Sequence, residues 1–128
     1  MSPVRRLYLP LAALFALPLA ASAAIPLRGI MHAWRADTRS AHDMLAGRAA
    51  FDPQIMRKVL NDYASRSSRV MAAITMSDAE ARAFRAGFVR LQSDALAASG
   101  DLGQRTKLKA DFARIAGDCS ACHDHFRN

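Results

Sequence analysis

Apolar residues recur along most of the chain at alternating intervals of three and four positions, the spacing of a helix with one buried face. Four such stretches follow one another, and none shows the strict apolar-polar alternation that is typical of a strand. The apolar positions of the first two are Leu27, Ile30, Met31, Trp34, Ala41 and Leu45, then Met56, Val59, Leu60, Tyr63, Val70 and Ile74. Those of the last two are Phe84, Phe88, Leu91 and Ala95, then Leu108, Phe112, Ile115, Cys119, Cys122 and Phe126.

Residues that favour helix ends separate these stretches. They are proline or aspartate-proline at the starts and glycine at the ends: Pro26, Gly47, Asp52 with Pro53, and Gly100. Segments 77–80 and 101–104 have capping-box spacing, which predicts helix N-caps at Ser77 and Asp101. Four helices joined by short connections pack as antiparallel neighbours, so we expect an all-α, up-down four-helix bundle.

The beginning of the chain has a different character. Two arginines precede an almost wholly apolar run, and small residues follow it, which is the layout of a secretory signal peptide. The run is short for a bilayer-spanning helix, and two prolines interrupt it. We therefore expect residues 1–23 to be a signal peptide, cleaved after Ala23 or Ala24. Residues 24–128 would then form one exported domain in the periplasm, with no membrane span after cleavage.

The charge of the chain narrows the choice of partners. The formal net charge is +7 over 128 residues, and removing the two leader arginines leaves +5. A moderately basic surface can steer association with an acidic redox partner. We expect no nucleic acid as a partner, because no basic patch is interleaved with aromatic residues. No pair of carboxylates or nucleophile with a base points to an enzyme.

The two cysteines of the chain lie in one run, Cys119-Ser120-Ala121-Cys122-His123. C-x-x-C-H is the attachment signature of c-type haem, in which each thiol forms a thioether bond with a haem vinyl group. On a helix, positions i, i+3 and i+4 share a face, so both thiols and the imidazole point the same way. The run predicts one covalent haem c at Cys119 and Cys122, with His123 as the proximal iron ligand.

Three other interpretations of the motif are weaker. A thioredoxin-like redox pair lies near the start of a helix that follows a strand, whereas this motif closes the last helix. A disulfide is compatible with an exported protein but would leave His123 without a role. Zinc requires four ligands, and only three converge here.

Two stretches resemble a known family, the class II cytochromes c that include cytochrome c′. Segment 119–127 follows the C-x-x-C-H-x-x-[FY]-R pattern at the end of their last helix, and segment 44–52 is similar to their first interhelix turn. The connection around 74–77 is shorter than the family's usual proline-containing one. Many relatives dimerise through their first two helices, so the resemblance makes a homodimer possible.

The resemblance also implies roles for residues outside the motif. The family position over the open face of the iron falls on Met31, which is leucine or another non-ligand in cytochrome c′ proper and a methionine ligand in the low-spin relatives. Met31 therefore indicates His/Met ligation. Arg28 and Arg127 lie near positions where the family has arginines beside the haem, so the resemblance implies that either could pair with a haem propionate or with a partner protein. Four aromatic residues are candidates to wall the haem and could equally fill the bundle core away from it: Trp34, Phe84, Phe88 and Phe112.

Three functions follow from these observations, and the first is the one we expect. It is single-electron transfer through haem c, with His123 and Met31 as axial ligands. The alternative is a five-coordinate haem that binds nitric oxide or carbon monoxide. The third is a helical interaction module without haem, in which the cysteines form a disulfide.

Overall fold

The computed structural model describes residues 25–75 and 77–126, which form four helices and no strand. They are α1 (Leu27–Leu45), α2 (Pro53–Ala73), α3 (Ala79–Gly100) and α4 (Arg105–Phe126). The helices have 19 to 22 residues, so each is about 30 Å long at 1.5 Å per residue. None of these four helices has a stretch that is both long and apolar enough to cross a membrane. The predicted leader, residues 1–23, lies outside the described residues.

The helices pack as antiparallel neighbours in chain order, which confirms the predicted bundle. Arg85 on α3 donates a hydrogen bond to the carbonyl of Ile74 at 2.6 Å, and Gln92, two turns further along α3, donates to the carbonyl of Ala64 at 3.4 Å. The partner number falls as the α3 number rises, so α2 and α3 run in opposite directions. α3 and α4 also pack along much of their length, whereas α1 packs against α2 and touches α4 over a short stretch.

Most of the buried side chains are ones that the apolar spacing predicts, although the predicted Leu27, Ile74 and Phe84 are only half-buried. Met56, Leu60 and Leu108 are fully buried at the centre of the bundle, and Met44 belongs to the same core. Burial of each large apolar side chain stabilises the fold by about 1.5–3 kcal/mol, so this shared seam supplies the main driving force for helix packing.

The end of α1 and the start of α2 have the predicted caps. Gly47 adopts φ +76°, a left-handed conformation that glycine tolerates without strain. The amide of Arg48 then donates to the carbonyl of Asp43 at 2.9 Å, and the amide of Gly47 donates to Met44 at 3.3 Å, which is a Schellman motif. The Asp52 carboxylate accepts hydrogen bonds from the first free amides of α2, at 2.8 and 3.2 Å.

The predicted N-caps of the last two helices are wrong. The N-cap of α3 is Asp78, whose carboxylate accepts from the amide of Ala81 at 2.8 Å, instead of Ser77. Two adjacent residues with capping side chains make the register ambiguous from spacing alone. Asp101 is the C-cap of α3, and its carbonyl accepts from the amide of Gln104, so α4 begins at Arg105.

Candidate functional site

The last two turns of α4 carry the C-x-x-C-H run on the same helix face as the core seam. Cys119 and Cys122 are both half-buried free thiols, and Cys119 packs against the hydrophobic core. His123 is exposed and follows them on the same face. Because helix α4 is anchored by its core residues, these three side chains have a fixed direction.

That face of α4 borders a narrow, partly open cleft with a cavity volume of about 30 Å³. Residues of α4 form its polar side: Asp118, Cys119, Cys122 and His123. Residues of α1 and α3 form its apolar side: Met31, Trp34, Gly87, Phe88 and Leu91. The structure thus brings Met31, half-buried on α1, to the cleft that His123 borders from α4.

Trp34 is held in the cleft wall by a half-buried polar network. Its indole N–H donates to Asp62 Oδ2 at 2.9 Å, and Arg66 Nε donates to Asp62 Oδ1 at 2.8 Å. Its ring packs edge-on against the ring of Tyr63, with centroids 5.4 Å apart. The single tryptophan of the chain therefore presents an apolar ring to the cleft while its polar hydrogen is used elsewhere.

Not all of the aromatic residues predicted to wall the haem border the cleft. Phe88 does, and its ring centroid lies 6.3 Å from that of Trp34. Phe84 is outside the cleft lining and stacks edge-on between Phe88 and Phe126, at 5.1 Å from each. Phe112 is buried in the core instead. Without Phe112, the rings of Trp34, Phe88, Phe84 and Phe126 follow one another in a continuous row.

Asp118 places a carboxyl group on the polar side of the cleft, next to Cys119. Burial and the adjacent Asp94 raise the pKa of Asp118, and the nearby guanidinium groups of Arg90 and Arg114 oppose this effect. Arg90 Nε lies 3.7 Å from Asp118 Oδ1, and Arg114 Nε lies 3.7 Å from Asp94 Oδ1. Asp118 Oδ2 is buried and has no hydrogen-bond partner among the described groups. A proton on the carboxyl group of Asp118 or Asp94 would allow a hydrogen bond between the two.

The thiols do not have the protonation behaviour of a thioredoxin-like redox pair. Burial raises the pKa of Cys119, and the charge of Asp118 adds to this effect. Burial also raises the pKa of Cys122, partly offset by Arg90. A thioredoxin-like pair needs a lowered thiol pKa to present a thiolate near neutral pH. The local electrostatics therefore argue against that interpretation.

These residues fit a covalently bound haem c. Two unbonded thiols and an imidazole share one helix face, and the facing walls are apolar. Gly87, across from Cys122, has no side chain, and a Cβ atom built there would lie 3.4 Å from Cys122 Sγ. The site thus offers the thiols of Cys119 and Cys122 for attachment and the imidazole of His123 for the iron. The thioether of Met31 lies on the opposite wall.

The two predicted arginine contacts with the haem are not among the described cleft residues, and two residues that do line the cleft were not predicted. Arg28 is exposed on the first turn of α1 and is not among the residues that line the cleft, so its propionate contact stays a prediction. Arg127 lies outside the described residues. Gly87 and Asp118 were not predicted. A glycine inside a helical pattern was the available signal for Gly87, whereas the sequence carries no such signal for Asp118.

The chain was compared with protein-family models, curated proteins and solved structures. No family model matches it. Cytochrome c′ of Rhodopseudomonas palustris (strain ATCC BAA-98 / CGA009) is 31% identical over 104 residues, which cover 70% of each chain. A crystal structure of cytochrome c′ from R. palustris superposes with a TM-score of 0.67 at 28% identity, covering 80% of this chain and 92% of that one. A triple mutant of the R. palustris protein gives 0.65 at 26% identity, covering 78% and 92%.

The Trp34 network generates a prediction about the stability of the cleft wall. Asp62→Ala should lower the free energy of unfolding by about 1–3 kcal/mol, because the Trp34 N–H would lose its acceptor. Denaturant unfolding followed by far-ultraviolet circular dichroism measures this change. Asp62→Asn keeps an oxygen acceptor and should cost less than half as much. Equal losses in both variants would show that the ion pair with Arg66, and not the indole bond, is the important contact.

Proposed function

Because this chain belongs to the cytochrome c′ family, we propose that it is a periplasmic haem c protein that binds nitric oxide or carbon monoxide. The cofactor of the family is covalently attached haem c, and this chain carries it. The proposed attachment residues are Cys119 and Cys122, and the proposed iron ligand is His123. The observation that carries the proposal is the meeting of this motif with an apolar cleft in a chain whose relatives are named cytochrome c′.

The bound haem supplies an iron that can change oxidation state and take up small diatomic gases. The chain's own residues determine which of these properties is used. His123 would hold the iron from the α4 side, and the thioethers at Cys119 and Cys122 would fix the porphyrin edge. The apolar wall from α1 and α3 would exclude water and bulky ligands from the opposite side.

The composition of the cleft wall favours nitric oxide and carbon monoxide over dioxygen. A hydrogen-bond donor in the distal pocket stabilises dioxygen bound to haem iron. Trp34 donates its indole hydrogen to Asp62 and has none for a ligand in the cleft. Of the other described residues on the apolar side, Met31, Phe88 and Leu91 have no polar hydrogen.

Single-electron transfer is the second candidate function, and the position of Met31 favours it. Met31 borders the same cleft as His123, and a thioether ligand suits an electron carrier because it stabilises the reduced iron. The names of the relatives favour gas binding over this function. In either case the protein acts by binding and exchange rather than as an enzyme. A net charge of +5 after leader removal would favour an acidic partner as the source of electrons.

The proposed attachment predicts what happens when the motif is changed. Cys119→Ala combined with Cys122→Ala should abolish covalent attachment, because no thiol remains to react with a vinyl group. After denaturation, acid-acetone should extract any pigment from this variant and none from the wild-type protein. Ser120→Ala alters an exposed residue inside the motif and is the matched control, which should keep its pigment. Extractable pigment in the wild-type protein would refute the attachment.

The role of Met31 predicts a spectroscopic difference between the two functions. For gas binding, the ferric protein should be high-spin, and ferric Met31→Ala should stay high-spin. After reduction, the ferrous variant should bind carbon monoxide about tenfold faster or more than the ferrous wild-type protein, because the steric barrier falls by about 1.4 kcal/mol. Met31→Leu, which conserves volume, should change the rate less. A low-spin ferric spectrum with a sulfur-to-iron charge-transfer band, converted to high-spin by Met31→Ala, would instead establish electron transfer with methionine ligation.

The buried carboxyl group predicts the direction of a change in redox potential. A negative charge at Asp118 stabilises the oxidised iron, so Asp118→Asn should raise the midpoint potential by tens of millivolts, an order of magnitude set by screened Coulomb energies. Protonation also removes this charge, so the wild-type potential should rise as pH falls through the raised pKa of Asp118, and the variant should lack that step. Asp43→Asn removes an exposed charge at the far end of α1 and should leave the potential nearly unchanged.

A further inference from the structure

Gly87 is the one position in the described cleft lining where a helix presents only its backbone. It lies inside α3 and is buried, with Phe88 as its next neighbour in the wall. A Cβ atom built on Gly87 would lie 3.4 Å from Cys122 Sγ, 3.7 Å from Cys122 Cβ and 4.0 Å from the Arg90 guanidinium. The nearest atoms to the missing side chain therefore belong to the second cysteine of the motif.

The backbone does not explain glycine at this position. Gly47 is the only described glycine with a positive φ, so Gly87 has a conformation that any residue adopts. Glycine is the poorest helix former apart from proline, and inside α3 it weakens the helix relative to alanine. Packing against the free thiol does not require it either, because 3.4 Å is an ordinary van der Waals contact.

The requirement arises once a group is bonded to the sulfur of Cys122. The thiol adds across a vinyl C=C bond: a sulfur-carbon bond forms at the carbon next to the ring, and the thiol hydrogen ends on the terminal carbon as part of a methyl group. The step consumes no oxidant or reductant. The sulfur, already at contact distance from the built Cβ atom, then carries a branched carbon that needs space in the same cleft.

We propose that Gly87 is a positioning residue for haem attachment, whose missing side chain leaves room for the second thioether bond at Cys122. The inference rests on the proposed attachment of haem to this cysteine. Gly87 would act through Cys122, with no contact to the iron. A side chain at position 87 would press on the substituted sulfur but not on Cys119, which lies one turn earlier on α4 and is absent from the neighbours of the built Cβ atom.

The test counts the thioether bonds in Gly87→Ala and Gly87→Val, expressed with haem-attachment machinery. Unbonded cysteines are alkylated in the denatured protein and located by peptide mass spectrometry. We expect at least about tenfold more alkylated Cys122 in Gly87→Val than in the wild-type protein, a smaller rise in Gly87→Ala, and no rise at Cys119. The reduced pyridine complex should also absorb at longer wavelength, because an unreacted vinyl group stays conjugated with the porphyrin.

Gly117 offers the matched control, since it is an exposed glycine inside α4 with no atom within 4 Å of its built Cβ. Gly117→Val should keep both thioether bonds. The inference is overturned if both Gly87 variants keep both bonds, or if Gly117→Val loses the Cys122 bond equally. If Gly87→Val does not fold, Gly87→Ala decides by the same measurement. Alkylated Cys122 in the wild-type protein would instead refute the proposed attachment itself.

Discussion

The buried seam of α4 fixes the direction of the residues that carry the chemistry. Leu108, Phe112 and Ile115 are buried at spacings of four and three, and Cys119 and Cys122 continue the same spacing toward the end of the helix. Rotating α4 by one residue would turn the seam by about 100° and expose side chains whose burial contributes about 1.5–3 kcal/mol each. Core packing one to three turns earlier on α4 therefore holds both thiols and His123 toward the cleft.

The helices that border the cleft are not held together equally. Ion pairs tie α3 to α4 beside the site: Arg90 with Asp118, and Arg114 with Asp94. α1 reaches this region mainly through Trp34, whose anchor is Asp62 on α2, and it touches α4 only over a short stretch. The α4 side of the cleft is thus tied to α3 by two ion pairs, whereas the α1 wall that carries Met31 is held through a hydrogen bond to α2.

The sequence was sufficient for the fold and for the motif because both depend on local periodicity. The apolar spacing predicted which faces are buried, and Gly47 and Asp52 predicted one interhelix connection correctly, since a left-handed glycine and a capping carboxylate each have one structural use there. Ser77 failed because Asp78 competes for the same cap, and Asp101 failed because it ends α3. Long-range juxtaposition was the harder problem, and Gly87 shows it: nothing in the local sequence says that α3 meets Cys122 at that residue.

The charges of the molecule divide into two sets that act at different distances. The excess of lysine and arginine gives the chain its positive charge, and an exposed charge of that kind acts on an approaching partner. The carboxyl groups of Asp94 and Asp118 are mostly buried beside the cleft, where lower dielectric strengthens their effect on the cofactor. Arg90 and Arg114 belong to both sets of charges, because each guanidinium group is half-exposed to solvent and also pairs with one of these carboxylates. The basic exterior would therefore favour the proposed acidic partner, while the carboxyl groups of Asp94 and Asp118 would favour the oxidised state of the proposed haem.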